Sequence, residues 1–358
     1  MSAHSKPTPP HPEALRGAQL YRVAIVGAAT LKGKEVAEVL GDRSFPSLEV
    51  KLLDDDESLG QLETMGDEIN FIQSIRAEQF DKVDFTFFAS DQACTRKIWK
   101  KVRDAGGAIV DLTFALEDEP GAVVRSPWIE RLRGQVIVPE LQPGPSVVAH
   151  PAAIVLAMLL LRVQKAAAIK SVAATVFEPA SEHGQKGMDE LHEQTVNLLS
   201  FQKLPKDIFD TQVAFNLVTR YGEHSVPPLA SVEQRVLKHY RAIAGDDAPM
   251  PSLLLVQAPI FHGHAFAIHL EFESAAEIEK ITQALSGEHL NLTRLAEDAP
   301  SNVNAAGQAD IQLAIVPDVS HAAGLWLWAA ADNLRLAAST AVECAETMTA
   351  TRPLGKIQ

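Results

Sequence analysis

An uncharged helix in the middle of the chain constrains the architecture more than any other feature. Residues 149–154 (AHPAAI) lead directly into the apolar run 155–161, and no charge appears before Arg162. Proline is favoured in the first turn of a helix, and an unbroken apolar run predicts burial on all sides. Backbone N–H groups and the helix dipole stabilise an anion at a helix start, so a reactive side chain is well placed there. This helix carries alanine at that place.

The chain before this helix alternates strands and helices. Residues 21–26 predict a buried strand, 27–33 a tight turn and 34–40 a helix. Dinucleotide folds need glycine where this turn approaches pyrophosphate and where the helix meets the strand. Gly27 and Gly33 supply the outer positions, but Thr30 occupies the middle one. An ordinary α/β turn explains this pattern equally well.

An acidic run follows the second predicted strand. Residues 48–53 predict this strand, and Asp54, Asp55 and Asp56 come directly after it. An acidic side chain at this spacing accepts the ribose hydroxyls of NAD and would repel the additional phosphate of NADP. A solvated strand end explains the same residues. The pattern therefore favours NAD if a dinucleotide binds.

The periodicity changes after the central helix. Before it, strands at 83–88, 108–112 and 135–138 and a helix at 92–105 predict a doubly wound parallel sheet. After it, longer strands and two helices predict an α+β region with a mostly antiparallel sheet. The later strands are 170–177, 253–259, 264–272, 310–316 and 324–331, and the helices are 187–200 and 231–244. A last helix is predicted from 332 to about 349, with Asp332 as its N-cap.

Composition limits the classes of partner. The net charge of -14 disfavours nucleic acid and anionic membrane surfaces, both of which attract basic proteins. Two cysteines cannot build a disulfide framework, which indicates a reducing compartment. The apolar run 147–161 is interrupted by His150 and Pro151 and is too short to span a bilayer. We therefore expect a cytoplasmic protein with small-molecule or protein partners and no membrane segment.

Several segments together resemble the bacterial type of aspartate-semialdehyde dehydrogenase. They occur in the family's order and extend over nearly the whole chain after residue 20. The segments are VAIVGAATLKG (23–33), LLDDDESLGQ (52–61), AGGAIVDLTFAL (105–116), VIVPE (136–140), FEPASEHGQKGMDELHEQT (177–195), AFNLV (214–218), APIFHGHAF (258–266) and ADNLR (331–335).

The resemblance implies a division of the chain into regions. It implies a Rossmann-like NAD(P)-binding domain at 20–148, completed by the C-terminal helix 332–350. A catalytic and dimerisation domain is expected at 149–330. Residues 1–19 are rich in Pro, His and Ser and have no apolar period, which predicts a disordered leader. Homodimers or dimers of dimers, and NAD or NADP as cofactor, also follow from the resemblance.

Family chemistry uses a cysteine thiolate that attacks an acyl phosphate, and NADPH then reduces the thioester. The position of this nucleophile matches Ala153, whereas the position of the catalytic base matches His264. The arginine that holds the substrate carboxylate matches Gln257, and the phosphate-binding arginine matches Leu116. The family's Glu-x-x-Lys pair matches Val232 and Arg235. Cofactor-binding positions match Gly27, Ala29, Thr30, Leu31, Lys32, Gly33, Asp54 and Ser90.

Two hypotheses follow. One is a catalytically degenerate protein that serves as a nucleotide-binding, regulatory or partner subunit, for example beside a true semialdehyde dehydrogenase. The other is an active NAD(P)-linked semialdehyde dehydrogenase with altered chemistry, which the retained His264 favours. Cys94 and Cys344 are interpreted as structural. His262 and His264 could share a face as metal ligands, but no third ligand is evident and no metal site is predicted.

Overall fold

The computed structural model of the chain describes residues 20–55, 60, 62–65, 68–135, 144–275, 277–293 and 298–349. The predicted leader 1–19 lies outside these residues, as do residues 136–138 of the predicted strand at 135–138. Gln135 itself belongs to no strand. No helix within the described ranges is long and apolar enough to cross a membrane.

Within the described residues, the first half of the chain forms a parallel sheet of seven strands in the order β5-β2-β1-β6-β7-β9-β8. Every pairing in this sheet is parallel. Its strands are β1 (Tyr21–Val26), β2 (Ser47–Asp54), β5 (Gln73–Ser74), β6 (Phe85–Phe88), β7 (Ala108–Asp111), β8 (Val123–Arg125) and β9 (Ser146–Val148). A separate antiparallel hairpin comprises β3 (Leu62–Met65) and β4 (Glu68–Phe71).

Helices cover both faces of the parallel sheet. The helices of this half are α1 (Leu31–Asp42), α2 (Gln92–Asp104) and α3 (Pro127–Leu132). Val23 and Ile25 of β1 pack in a core with α1, and the intervening Ala24 and Val26 pack in a core with α2. Burial on both faces explains why these strands are continuously apolar. The predicted doubly wound parallel sheet is confirmed.

The central helix is α4 (Pro151–Ala166), which has Pro151 in its first turn as predicted. All its residues from Pro151 to Leu160 are buried. Those from Ala152 to Leu160 belong to the largest apolar core, which α4 shares with the second sheet and with the helices on that sheet's covered face. This packing explains why α4 has no polar face before Arg162.

The second sheet has six strands among the described residues, in the order β11-β10-β12-β15-β14-β13. Three of its pairings are antiparallel, while β11 and β13 join the edges in parallel, so the sheet is mixed. Its strands are β10 (Ile169–Glu178), β11 (Ser252–Gln257), β12 (His264–Phe272), β13 (Leu290–Thr293), β14 (Ile311–Pro317) and β15 (Gly324–Ala331). The accompanying helices are α5 (Gly184–Leu199), α6 (Leu229–Ala244), α7 (Ile278–Ala284) and α8 (Asn302–Ala305).

The final helix, α9 (Asn333–Thr349), returns to the parallel sheet and shares a core with β1 and α1. Oδ1 of Asp332 accepts hydrogen bonds from the backbone N–H groups of Leu334 at 2.9 Å and Arg335 at 3.0 Å. This confirms the predicted N-cap. The guanidinium of Arg335 also pairs with Glu35 and Asp42 of α1, which attaches α9 to the first half of the chain.

Candidate active site

The start of α4 is capped by a histidine ring. Nδ1 of His150 accepts a hydrogen bond from the N–H of Ala152 at 3.2 Å, and the N–H of His150 donates to Nδ1 of His239 at 2.9 Å. Ala153, the predicted nucleophile position, is fully buried directly behind this cap. Its methyl group can neither attack a carbonyl nor transfer a proton. The capped helix start therefore carries a methyl group at the position predicted for the nucleophile.

Both of these histidines are neutral. Burial lowers the pKa of His150 well below its ordinary value, and the acceptor role of Nδ1 toward a backbone N–H requires the unprotonated nitrogen. Burial also lowers the pKa of His239, against the opposing effect of Glu117. Nε2 of His239 donates to Glu117 at 2.8 Å, and this bond fixes its tautomer.

Arg235, predicted to stand at a substrate clamp, is bound by a carboxylate of the chain itself. Its Nε donates to Oε1 of Glu117 at 3.1 Å. Burial works to raise the pKa of Glu117, but the hydrogen bond from His239 and the charge of Arg235 outweigh it and lower the pKa to about 2. The neighbouring Leu116, at the predicted phosphate position, is fully buried and apolar. The positive charge of Arg235 is therefore already balanced.

Gln257, the other predicted clamp position, is also satisfied internally. Its Nε2 donates to the backbone oxygens of Glu178 at 3.0 Å and Ala258 at 2.8 Å. Its Oε1 accepts from the hydroxyl of Tyr221 at 2.7 Å, and the side chain is fully buried. Both amide hydrogens are thus used, and a neutral amide lacks the charged fork with which arginine binds a carboxylate.

His264, the predicted base, lies beside two glutamates that the sequence analysis did not select. Its Nε2 is 3.2 Å from Oε2 of Glu178 and 4.0 Å from Oε1 of Glu182. Burial raises the pKa of Glu178, and its Oε1 has no hydrogen-bond partner within the described residues. Both glutamates lie in the segment 177–195, which carries part of the family resemblance. Their position in this segment is the sequence feature that could have identified them as site residues.

Glu182 connects the two halves of the molecule. Its Oε1 accepts from Nδ2 of Asn333 at 2.9 Å, and its Oε2 lies 3.8 Å from Nζ of Lys32. Burial would raise the pKa of Glu182, but the charge of Lys32 and the hydrogen bond from Asn333 hold it below its ordinary value. Nζ of Lys32 also lies 5.0 Å from the ring centroid of Phe114, which in turn stacks on His150. We call Lys32, Phe114, His150, Glu178, Glu182 and His264 the junction cluster.

The predicted cofactor turn has the expected close packing. Gly27 has a φ of 87°, and a Cβ there would collide with the backbone of Ser90. A Cβ on Gly33 would collide with the carbonyl oxygen of Gly27. Thr30, at the middle position, has extended backbone and caps α1, since its Oγ1 accepts from the N–H of Gly33 at 3.0 Å. The turn therefore accommodates threonine without strain.

The remaining cofactor positions surround this turn. Leu31 is the first residue of α1, and Ala29 donates its N–H to Oδ2 of Asp54 at 2.7 Å. Asp54 is 7% exposed and therefore faces the turn rather than solvent. Lys32 is an exception, because its ammonium group lies near Glu182 and the Phe114 ring of the junction cluster.

The two thiols lie on α2 and α9. Burial raises the pKa of Cys94, and burial raises that of Cys344 to about 12.

In the described parts of the chain, no group of three His, Cys, Asp or Glu side chains is arranged to hold a metal ion. His262 and His264 therefore belong to no such group among these residues.

Two family models match the chain. Residues 22–145 match the semialdehyde dehydrogenase NAD-binding domain, and residues 160–336 match the semialdehyde dehydrogenase dimerisation domain. The aspartate-semialdehyde dehydrogenase of Rickettsia bellii is 27% identical over 337 residues, covering 92% of this chain and 97% of that protein. A USG-1 protein homolog of Azotobacter vinelandii is 29% identical over 332 residues, covering 91% of this chain and 97% of that protein.

Solved structures agree with these matches. A probable aspartate-semialdehyde dehydrogenase from Pseudomonas aeruginosa superposes with a TM-score of 0.81 at 26% identity, covering 93% of this chain and 99% of that one. Aspartate-semialdehyde dehydrogenase II of Vibrio cholerae, in complex with ASA, gives a TM-score of 0.80 at 26% identity with the same coverage. The chain therefore belongs to the aspartate-semialdehyde dehydrogenase family.

Proposed function

We propose that this chain is a catalytically degenerate member of its family that acts as a nucleotide-binding, regulatory or partner subunit. The observation that carries the proposal is the buried alanine at the start of α4, where the family would place its thiolate. The internal bonds of Gln257 and the pairing of Arg235 with Glu117 support it, because neither side chain is free to hold an anionic substrate. Leu116 offers no hydrogen bond to phosphate.

A steady-state assay tests this proposal. The substrates are aspartate semialdehyde and phosphate, with NAD or NADP as the oxidant. We expect no turnover above the uncatalysed rate with either cofactor. Turnover that disappears in His264→Ala would overturn the proposal.

An active enzyme with altered chemistry is the second candidate, and the His264–Glu178 pair favours it. A buried histidine next to a carboxylate is a common arrangement for a general base. A nucleophile would still be required, and Cys94 and Cys344 lie on other helices and have raised pKa values. The assay described above decides between the two candidates.

We further propose that the cofactor turn prefers NAD to NADP. The buried carboxylate of Asp54 accepts a hydrogen bond from the turn itself, so an added 2′-phosphate would meet a fixed negative charge. Calorimetry with both dinucleotides should give tighter binding of NAD. In Asp54→Asn, which keeps the shape and removes the charge, the preference should fall by about tenfold. Tighter binding of NADP than NAD by the unmodified protein would contradict this proposal.

The family match at 160–336 is to a dimerisation domain, and we propose a homodimer, or a dimer of dimers, formed through the second sheet. One face of that sheet packs on α4, while the other presents Leu254 and Trp326, which are 48% and 42% exposed. Phe177 and Trp328 lie half-buried on the same face, with ring centroids 6.3 Å apart. Aromatic side chains of this kind are enriched at protein interfaces.

Light scattering at micromolar concentration should therefore give at least twice the monomer mass. Trp326→Arg should shift the protein to monomer. Phe71→Arg is the matched control, since Phe71 is 62% exposed but belongs to β4. If Trp326→Arg leaves the mass unchanged, this face is not the interface. A hetero-complex with a true semialdehyde dehydrogenase would use the same face.

A further inference from the structure

The carboxylate of Glu182 has the surroundings of a bound anion. It lies on a 3-10 turn (Ala180–His183), yet its nearest partners come from other elements. The amide of Asn333 at the start of α9 donates to it at 2.9 Å, the ammonium of Lys32 on α1 lies 3.8 Å away, and Nε2 of His264 on β12 lies 4.0 Å away. The side chain of Glu182 is only 6% exposed.

These partners are oriented by contacts that do not involve Glu182. Oδ1 of Asn333 accepts from the Oγ of Ser181 and from the N–H of Gly263, both at 3.1 Å, so its NH2 group must point the other way. Lys32 is directed into the junction cluster by its position above the Phe114 ring. The donors would therefore keep their positions if the carboxylate were removed.

We propose that Lys32 and Asn333, with His264 close by, form a binding site for a small carboxylate, and that Glu182 occupies this site as a built-in ligand. The proposal goes beyond the loss of the nucleophile, because it concerns a different group and does not depend on Ala153. An external carboxylate can occupy the site only when Glu182 vacates it. Since Lys32 belongs to the cofactor turn and Glu182 to the second half of the chain, the same contact holds the two halves together.

The electrostatics agree with this assignment. The low pKa of Glu182 keeps the group ionised despite its burial, as expected when a cation and an amide donor face it. The nearby Glu178 differs from Glu182, because its Oε2 is already paired with Nε2 of His264 at 3.2 Å and burial raises its pKa.

Rescue by an added carboxylate tests the proposal. Glu182→Ala leaves space for an ion such as formate, and sodium formate should raise the Tm of this variant by about 3 °C more than sodium chloride of equal ionic strength. The unmodified protein and Lys32→Met/Glu182→Ala should respond equally to both salts. Equal responses of Glu182→Ala to the two salts, or an undiminished formate effect without Lys32, would overturn the proposal.

Isosteric variants provide a second test if Glu182→Ala does not fold. Glu182→Gln keeps the shape and an acceptor for Asn333, and Lys32→Met keeps the apolar stem above Phe114. We expect each to lower the Tm, and the double variant to lose clearly less than the sum, because both changes break the same pair. Additive losses would show that Lys32 and Glu182 do not interact, and the proposal of a carboxylate site would then be wrong. Both tests measure stability, so their outcome is distinct from that of the turnover assay.

Discussion

Two strand-to-helix junctions contribute residues to the junction cluster, and they differ in the groups that they carry. The first junction is the turn between β1 and α1, and the second is the turn between β9 and α4. The turn between β1 and α1 retains the close backbone packing of a dinucleotide-binding turn, with Gly27 and Gly33 at positions that leave no room for a side chain. The start of α4 has a proline in its first turn and a cap, and the position predicted for the nucleophile is Ala153. The first junction has tightly packed backbone, whereas the second has a capped helix start with a methyl group at the predicted nucleophile position.

The difference lies in where the polar groups find partners. In the first junction, Oγ1 of Thr30 caps the helix, and Asp54 accepts a hydrogen bond from the N–H of Ala29. In the second, His150, His239 and Glu117 form a continuous chain of hydrogen bonds that ends at Arg235. A site whose donors and acceptors are all paired internally offers little to a ligand. Under the proposed function, the first junction binds a dinucleotide and the second holds no substrate.

The largest effect is expected at the first junction. Gly33→Ala places a Cβ against the carbonyl of Gly27, and overpacking against backbone should lower the free energy of unfolding by about 3 kcal/mol. Gly41→Ala is the matched control, because Gly41 lies on the same helix with nothing within 4 Å of its added Cβ. It should stabilise the protein by about 0.5 kcal/mol through helix propensity. Denaturant unfolding of both variants provides the measurement, and equal effects would show that the turn is not tightly packed.

The second junction should be sensitive to acid. Because burial lowers the pKa of His150 in the folded state, the unfolded chain takes up this proton first as the pH falls. The contribution of His150 to stability is complete above its ordinary pKa of about 6.5, and it declines by up to about 1.4 kcal/mol per pH unit below that value. His150→Asn retains a good N-cap and cannot be protonated, so its stability should fall less steeply between about pH 6.5 and 5.

Chemical unfolding at several pH values measures this slope. His183, whose pKa burial lowers to about 4, contributes a slope of the same sign that remains in the variant. His192→Asn, on the exposed surface of α5, controls for the loss of a histidine elsewhere. Parallel curves for the unmodified protein and His150→Asn would show that the ring is not held neutral.

The fold could be predicted from the sequence where the hydrophobic pattern is long. β12 and β15 coincide with the predicted strands 264–272 and 324–331, and α4 begins at the predicted proline. The strands β8 and β9, which have three residues each, were not predicted, because so short a segment carries almost no periodic signal. The parallel edges of the second sheet were also missed, since pairing direction depends on tertiary packing.

The contacts of the candidate site were far less predictable. Lys32 was placed at the cofactor, but its ammonium group lies near Glu182, 150 positions further along the chain. The partners of His150 and Gln257 are similarly remote in sequence, so no local pattern reports them. The resemblance assigned roles to individual positions, while the structure shows which groups those side chains contact.

The smallest effect is expected where the sequence departs most from the family. Ala153→Cys would restore a thiol at the start of α4, and we expect no dehydrogenase turnover from it with aspartate semialdehyde, phosphate and either nicotinamide cofactor. The amide of Gln257 and the guanidinium of Arg235 remain bound to the protein itself, so the substrate would not be held. Positioning of the reactants lowers the reaction barrier by up to about 10 kcal/mol, and a nucleophile alone cannot replace this contribution.

Ala157→Cys, one turn later on α4 and equally buried, controls for the added volume. Turnover by Ala153→Cys that Ala157→Cys lacks would show that the start of α4 can still hold the substrate and lacks only the thiol.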